Sequence, residues 1–129
     1  MQTPRRTIFV VFEDFQLLDM SGPAAVFHAA SDFMEGLPYE IVVASVNGGS
    51  VRSSCGAEIG SIPLSTVSVD AKDTVLAVGG TEAGLRSAVE EEGVPMWLHR
   101  AADAAERIGS VCVGAFLLGA AGLLDGKQV

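Results

Sequence analysis

Aromatic side chains are scarce in this chain of 129 residues, which has one tryptophan, one tyrosine and six phenylalanines. The core must therefore be built from aliphatic side chains, and the hydrophobic content of 49% supplies them. A chain of this length buries about two thirds of its unfolded surface and normally forms one domain. We expect residues 1–129 to form a single globular domain with an aliphatic core.

Basic side chains are also few, since 8 lysines and arginines stand against 16 acidic residues and give a formal charge of −8. A surface this acidic repels phosphate backbones, which excludes nucleic-acid binding by this segment itself. Uninterrupted apolar runs of membrane-spanning length are lacking, and the N-terminus has no apolar signal-peptide core. The sequence therefore predicts a cytoplasmic protein without a membrane partner.

Cysteine is limited to Cys55 and Cys112. In a chain without an export signal two cysteines are more often free thiols, although a pairing between them stays open at this stage. The two histidines, His28 and His99, fall inside predicted helices and are not expected to act as a base for Cys112. We expect no metal site and no cofactor.

Strand-length apolar runs alternate with longer amphipathic stretches, which predicts an α/β fold, a mostly parallel sheet covered by helices. Predicted strands cover residues 8–12, 41–46 and 74–78 and a run ending at Cys112, and predicted helices begin at Pro23 and Pro95. Residues 50–69, broken by glycine and proline, predict small strands or turns at a sheet edge. Because the chain stops where another strand would begin, we expect that C-terminal strands are missing from it.

Cys112 is the first candidate for chemistry, because residues 108–114 form an apolar run that gives way at the cysteine to a helical pattern. A cysteine at a sharp strand-to-helix turn, a nucleophile elbow, exposes its sulfur near backbone N–H groups that favour the thiolate. Such a thiol is a candidate nucleophile. The alternative is a small core residue, since free cysteine is often buried.

Asp19 is the second candidate, predicted in the loop of residues 16–23 between the first strand and its helix. In a doubly wound sheet such loops open at the carboxyl ends of the strands, where ligands bind. A carboxylate there can exchange a proton with the thiol or with a bound substrate. The alternative is a local cap of the helix.

Gly79 and Gly80 directly follow a predicted strand and precede Thr81. Paired glycines let backbone N–H groups approach a reacting oxygen, and together with the amide of Val113 they form a candidate oxyanion hole. The alternative is a tight turn that requires a positive φ.

Taken in chain order, these residues resemble the ThiJ/PfpI family of the class I glutamine-amidotransferase-like superfamily. Within it, the chain is most similar to the amidase-like N-terminal domain of AraC-type transcriptional regulators. The blocks that carry the resemblance are residues 15–19, 22–27, 79–80, 107–116 and 121–126. The resemblance therefore covers almost the whole chain.

The resemblance implies a flavodoxin-like sandwich, usually a homodimer, with a small-molecule pocket around Cys112 that includes Gly22 and Thr81. In the similar regulators, DNA is bound only by a C-terminal helix-turn-helix region, and that region is absent from these residues. Many members carry a histidine shortly after the block at residues 121–126, beyond the last residue of this chain. Isonitrile hydratases of the family tend to carry a threonine after the cysteine, where this chain has Val113.

Two functional hypotheses follow. The first is a ligand- or stress-sensing domain of a transcriptional regulator, in which an unknown small molecule binds or reacts at Cys112 and changes how the dimer presents its DNA-binding part. The second is a free-standing hydrolase or hydratase, with Cys112 as nucleophile and Asp19 as the proton carrier.

Overall fold

The computed structural model describes residues 5–33 and 39–127, which contain a six-stranded sheet. The strands are β1 (Arg6–Val10), β2 (Glu40–Ser45), β3 (Gly49–Arg52), β4 (Glu58–Pro63), β5 (Thr74–Ala77) and β6 (Arg107–Ser110). They lie in the order β3-β4-β2-β1-β5-β6, and every neighbouring pair is parallel except β3 with β4. The predicted mostly parallel α/β sheet is confirmed, and residues 49–63 form one edge of it.

Within the described part of the chain four helices flank the sheet: α1 (Leu17–Ser31), α2 (Glu82–Glu90), α3 (Val94–Ala104) and α4 (Ala115–Ala120). The first packs against β2, whereas the other three contact one another on the opposite face. At the start of α2, the Thr81 hydroxyl oxygen accepts a hydrogen bond from the Gly84 N–H at 3.0 Å. This side-chain cap satisfies one of the free amides that begin any helix. No helix among residues 5–33 and 39–127 combines the length and the apolar composition that crossing a bilayer requires.

The centre of the sheet is β1, which pairs with β2 on one side and β5 on the other. The chain first builds the sheet outward through β2 and then returns to add β5 and β6 on the other side. This reversal is a topological switch point, where loops leave the carboxyl ends of two adjacent strands in opposite directions and open a crevice. The crevice therefore lies beyond Val10 and Ala77.

The core is aliphatic, as the composition predicts, and three buried phenylalanines support it. The largest fully buried side chains include Phe9, Phe12, Phe15, Ile8, Leu98 and Leu117. Residues 8–12 are buried without alternation because β1 is covered on both faces. The predicted burial of residues 8–12 is therefore confirmed. The hydrogen-bonded strand begins two residues earlier than predicted, at Arg6.

Three helix predictions need correction. The first helix begins at Leu17 rather than at Pro23, so that Asp19 and Gly22 lie within α1 instead of in a loop. The helix predicted to begin at Pro95 begins one residue earlier, at Val94, and ends at Ala104, before β6. The sequence reasoning also assigned no helix at α2, where the Thr81 cap was the available signal.

Glu92 gives the stability of the fold a dependence on pH. Burial raises the pKa of the Glu92 carboxyl above its ordinary value of 4.5, and the negative charges of Glu13 and Glu91 raise it further. Above pH 4.5 the folded state therefore holds a proton that the unfolded state has released, so the free energy of unfolding falls as pH rises through the raised pKa. We expect Glu92→Gln to remove this decline and to be more stable than the parent protein at pH 8.

Urea denaturation at pH 4, 6 and 8 measures this effect. The matched control is Glu90→Gln, two residues away, because Glu90 is not among the carboxylates that act on Glu92. Parallel pH profiles for the parent protein and the Glu92 variant would contradict the prediction.

Candidate functional site

Three connections meet at the carboxyl end of the sheet, after β1, β5 and β6. The Gln16 N–H donates to the Gly79 carbonyl at 2.8 Å, and the Val111 N–H donates to the Ala77 carbonyl at 2.9 Å. Phe15, fully buried, forms an isolated bridge with Gly80. Backbone hydrogen bonds therefore fix the positions of these connections relative to one another.

Cys112 lies between β6 and α4, at the first residue of a 3-10 turn, and it is exposed. Its φ is +53°, and within the described part of the chain Asp14 is the only other non-glycine residue with positive φ. This left-handed conformation costs a residue with a side chain on the order of 1–3 kcal/mol. The surrounding backbone therefore holds Cys112 in a strained turn that presents its side chain to solvent, and the alternative of a buried core cysteine is wrong.

Asp19 reaches across the crevice to the connection after β5. Its Oδ2 accepts a hydrogen bond from the Gly79 N–H at 3.0 Å. A Cβ atom on Gly79 would lie 2.8 Å from this same oxygen and 2.8 Å from Cγ2 of Val113. The structure thus brings Asp19, Gly79 and the residue after Cys112 into direct contact around a position that only glycine fits.

The position of Asp19 within α1 is linked to Pro23. Proline has no N–H, and the missing donor at Pro23 is the one that would bond the carbonyl of Asp19 four residues earlier. The Asp19 side chain does not cap α1 either, since the residue before the helix, Gln16, has no side-chain capping hydrogen bond and the Asp19 carboxylate binds Gly79. The helix-cap interpretation of Asp19 is therefore wrong.

The other predicted site residues differ in whether their polar groups are already hydrogen-bonded and whether they contact the crevice. The N–H of Gly79 is occupied by Asp19, which leaves the amides of Gly80 and Val113 as the predicted oxyanion donors. Thr81 uses its hydroxyl oxygen to cap α2. Gly22 lies on α1, and a Cβ atom there would meet only Leu18, so no close contact joins it to the crevice.

An apolar groove of about 580 Å³ opens beside this crevice, between α2 and α4. The apolar part of its lining comes from Leu85 and Val89 on α2 and from Val113 and Phe116 after Cys112. Gly80 and the charged residues Glu82, Arg86 and Glu90 complete the lining. This volume is within the range of small-molecule sites, and an apolar lining is typical of them. Sequence reasoning did not include Leu85 or Val89, because it assigned no helix to residues 82–90.

Cys55 is a second exposed thiol, and both cysteines are free, which confirms the expectation of unpaired thiols. A hydrogen bond with the Ser53 hydroxyl, at 3.3 Å, and one with the backbone at Ala57 lower the pKa of the Cys55 thiol. Thiolates are the reactive form of cysteine. Any measurement of thiol reactivity must therefore separate Cys55 from Cys112.

Comparison with known proteins places the chain in a family. The sequence profile of the DJ-1/PfpI family matches residues 5–129, and the chain belongs to this family. A solved structure of a ThiJ/PfpI family protein from Pseudomonas syringae superposes with a TM-score of 0.82 at 26% identity, covering 96% of this chain and 48% of that one. The predicted flavodoxin-like fold and the predicted family are confirmed.

The relatives that have a named function are of two kinds, an enzyme and a transcriptional regulator. An uncharacterised protein from the cpoL 5' region of Streptomyces lividans is 39% identical, with 97% of this chain and 85% of that protein aligned. The isonitrile hydratase of Pseudomonas putida is 32% identical over 93% of this chain and 49% of its own length. The HTH-type transcriptional regulator GlxA of Rhizobium meliloti (strain 1021) is 29% identical over 96% of this chain and 37% of its own length. The chain thus spans about half of the hydratase and about a third of the regulator.

Proposed function

We propose that this domain senses a small electrophilic or oxidising metabolite through Cys112, as the ligand-binding part of an AraC-type transcriptional regulator. The observation that carries the proposal is the strained, exposed Cys112 next to the contact between Asp19 and Gly79. In this proposal a ligand packs its body against Val113 and Phe116 in the adjoining groove. Its reactive atom then reaches Cys112, the residue directly before Val113 in the chain.

The regulator is favoured over an enzyme by the residue that follows the cysteine. Val113 is apolar and partly exposed and lines the groove, so it supplies no hydroxyl to orient a water molecule. Hydrolysis and hydration both need such a water, whereas binding or one-time modification does not. Similarity to the regulator GlxA over nearly the whole chain supports the same choice.

In this proposal the domain works as a cytoplasmic homodimer, and DNA is contacted by a separate helix-turn-helix region. The composition of the sequence agrees with a separate DNA-binding region, because its net charge of −8 repels nucleic acid. Modification at Cys112 alters the connection between β6 and α4, which the Gly114 N–H and the Val111 carbonyl brace at 3.0 Å. A local change at the thiol thereby moves the groove wall that α4 carries.

The alternative function is a cysteine-dependent hydratase or hydrolase, which the 32% identity to isonitrile hydratase favours. Here Cys112 adds to the electrophilic carbon, Asp19 transfers the proton, and the amides of Gly80 and Val113 hold the developing negative charge. Water then displaces the sulfur. For an isonitrile the net change is addition of one water to give a formamide.

Reaction of the thiols with iodoacetamide and hydrogen peroxide, followed by intact-mass spectrometry, tests the sensing proposal. Because the lowered pKa of Cys55 gives that thiol a reactivity of its own, each cysteine is measured in the variant that lacks the other. We expect Cys112, in the Cys55→Ser variant, to react at least tenfold faster than a free thiol in a peptide. A peptide thiol is equally exposed, so the ratio rests on the amides of Gly80 and Val113, which can hold the oxygen of the reagent beside the sulfur. A Cys112 rate equal to that of the peptide thiol would contradict the proposal.

The same two variants distinguish sensing from catalysis. With a panel of isonitriles and amides, the sensing domain reacts no more than once for each protein molecule, whereas an enzyme turns over repeatedly. Multiple turnover that Cys112→Ser abolishes and Cys55→Ser preserves would overturn the regulator in favour of the enzyme.

A further inference from the structure

The groove between α2 and α4 exposes apolar side chains to water. Leu85 and Val89 line it from α2 and also pack against the hydrophobic core. Phe116, on α4, is 69% exposed, and Val113 is 38% exposed. Large apolar side chains that line a concave surface and stay in water are typical of a site that a ligand covers. The groove therefore fits a ligand with an apolar body.

The two ends of the groove differ in their chemistry. Gly80 and Val113 mark the end at the predicted nucleophile, because a Cβ atom on Gly79 would lie 2.8 Å from Cγ2 of Val113. From there α2 runs along the groove, and its last residue, Glu90, lies about 12 Å beyond its first, Glu82, at 1.5 Å per residue. The other end of the groove is therefore the C-terminus of α2.

That far end carries an unbalanced negative charge. Three charged side chains line the groove at intervals of about one helical turn, namely Glu82, Arg86 and Glu90. Nη2 of Arg86 contacts Oε1 of Glu82 at 3.0 Å, so these two charges offset each other. Glu90 belongs to no ion pair within the described part of the chain. Its carboxylate is therefore free to bind a cation in the groove.

Two further features strengthen the negative potential at Glu90. The last carbonyl groups of α2 point out of its C-terminus, which carries roughly half an elementary negative charge. Glu91 follows Glu90 directly in the chain and adds a second carboxylate. An anionic group is repelled from this end of the groove, whereas a cationic group is attracted to it.

We propose that the ligand of this groove is an amphipathic cation. Its apolar body covers Val89 and Phe116, its ammonium or similar positive group lies at Glu90, and its reactive end lies at Gly80. The volume of about 580 Å³ suits a small molecule of this kind. This inference rests on the proposed function, because it names the class of small molecule that the Cys112 site admits.

Three probes that share an octyl chain and differ in charge test the class of ligand: octyltrimethylammonium, 1-octanol and octanoate. Titration of the protein with each probe, followed by amide NMR spectroscopy, gives the dissociation constant and locates the site. At low ionic strength we expect the cation to bind about tenfold more tightly than octanoate, with 1-octanol between them, because their head groups differ by two charges beside exposed carboxylates. The amides of α2 and α4 should shift, and added salt should reduce the ratio.

Variants separate the charge of the groove from its apolar lining. Glu90→Gln should weaken the binding of octyltrimethylammonium about threefold and leave that of 1-octanol unchanged, since an exposed carboxylate contributes on this scale. Glu58→Gln is the matched control, because Glu58 is an exposed acid on β4, outside the groove lining. Phe116→Ala should weaken the binding of all three probes alike. Circular dichroism verifies that the variants fold.

Several results would overturn the inference. These are no binding by any probe, equal affinity for the cation and the anion, a cation preference that Glu90→Gln and Glu58→Gln reduce alike, and amide shifts confined to residues outside α2 and α4. Shifts in the groove that change when the protein alone is diluted would assign the groove to a second copy of the chain, and would overturn the inference as well.

The three probes do not react with thiols, so this test is separate from the thiol kinetics. A fast-reacting Cys112 in a protein without cation preference would overturn the ligand class alone. Selective binding of the cation by a protein with an unreactive Cys112 would overturn the sensing proposal alone.

Discussion

Gly114→Ala should destabilise the protein by about 3 kcal/mol or more, because overpacking against rigid atoms costs on this scale. A Cβ atom at Gly114 would overlap the carbonyl oxygen of Ala77 and would lie 2.8 Å from the carbonyl carbon of Val78. These are backbone atoms at the end of β5, so no side-chain rotation relieves the contact. Urea denaturation measures the loss in the free energy of unfolding. A changed rate of Cys112 alkylation shows whether the turn at Cys112 has moved.

Gly119→Ala provides the matched control on the same short helix. A Cβ atom there would meet Leu124 at 3.8 Å, an ordinary contact. Alanine is also the better helix former, by roughly 0.5–1 kcal/mol, so this variant should be as stable as the parent protein or slightly more stable. If both variants unfold at the same urea concentration, β5 and the turn at Cys112 do not pack as closely as the structure shows.

The second large effect is expected at Asp73, at the opposite end of the sheet. The Asp73 side chain is 1% exposed and accepts hydrogen bonds from Nε and Nη2 of Arg6 at 3.0 and 2.6 Å and from the Asp70 N–H at 2.8 Å. The hydrogen bonds between Arg6 and Asp73 also raise the pKa of the Arg6 guanidinium. Asp73→Ala leaves the half-buried cation without its partner and should lower the free energy of unfolding by about 3 kcal/mol.

An exposed ion pair gives the comparison for Asp73. Arg86 and Glu82 on α2 approach to 3.0 Å with 64% and 87% of their side chains exposed. Solvent screens such pairs, so Glu82→Gln should change the free energy of unfolding by less than about 1 kcal/mol. Equal losses in Asp73→Ala and Glu82→Gln would show that the pair at Asp73 is no better shielded from water than the one on α2.

The sequence predicted the two central strands correctly, because strands covered by helices on both faces appear as continuous apolar runs. The apolar runs in residues 8–12 and 74–78 locate the central strands β1 and β5 to within two residues, although burial along β5 alternates between full and partial. The start of α1 was misplaced because proline at the first turn is the usual helix signal, whereas Pro23 lies inside the helix. Amphipathic α2 received no prediction, although Thr81 before it is a residue type that caps helices.

The candidate site was also predictable from the sequence only in part. Cys112, Asp19 and Gly79 were each recognisable from local patterns and from the family resemblance. Their contact was not recognisable, because the hydrogen bond between Asp19 and Gly79 joins residues 60 positions apart. The lowered pKa of Cys55 likewise depends on Ser53 and Ala57, whose geometry follows from a turn that composition does not specify.

By itself the sequence determined the α/β class, the family, the aliphatic core and the acidic surface, because periodicity, motif blocks and charge are properties of neighbouring residues. Only the tertiary structure decided that Cys112 is strained and exposed, that Asp19 bonds Gly79, and that α2 and α4 line an apolar groove. Each of these depends on how distant segments pack. The free energy of such packing is shared among residues that are far apart along the chain, so no local pattern records it.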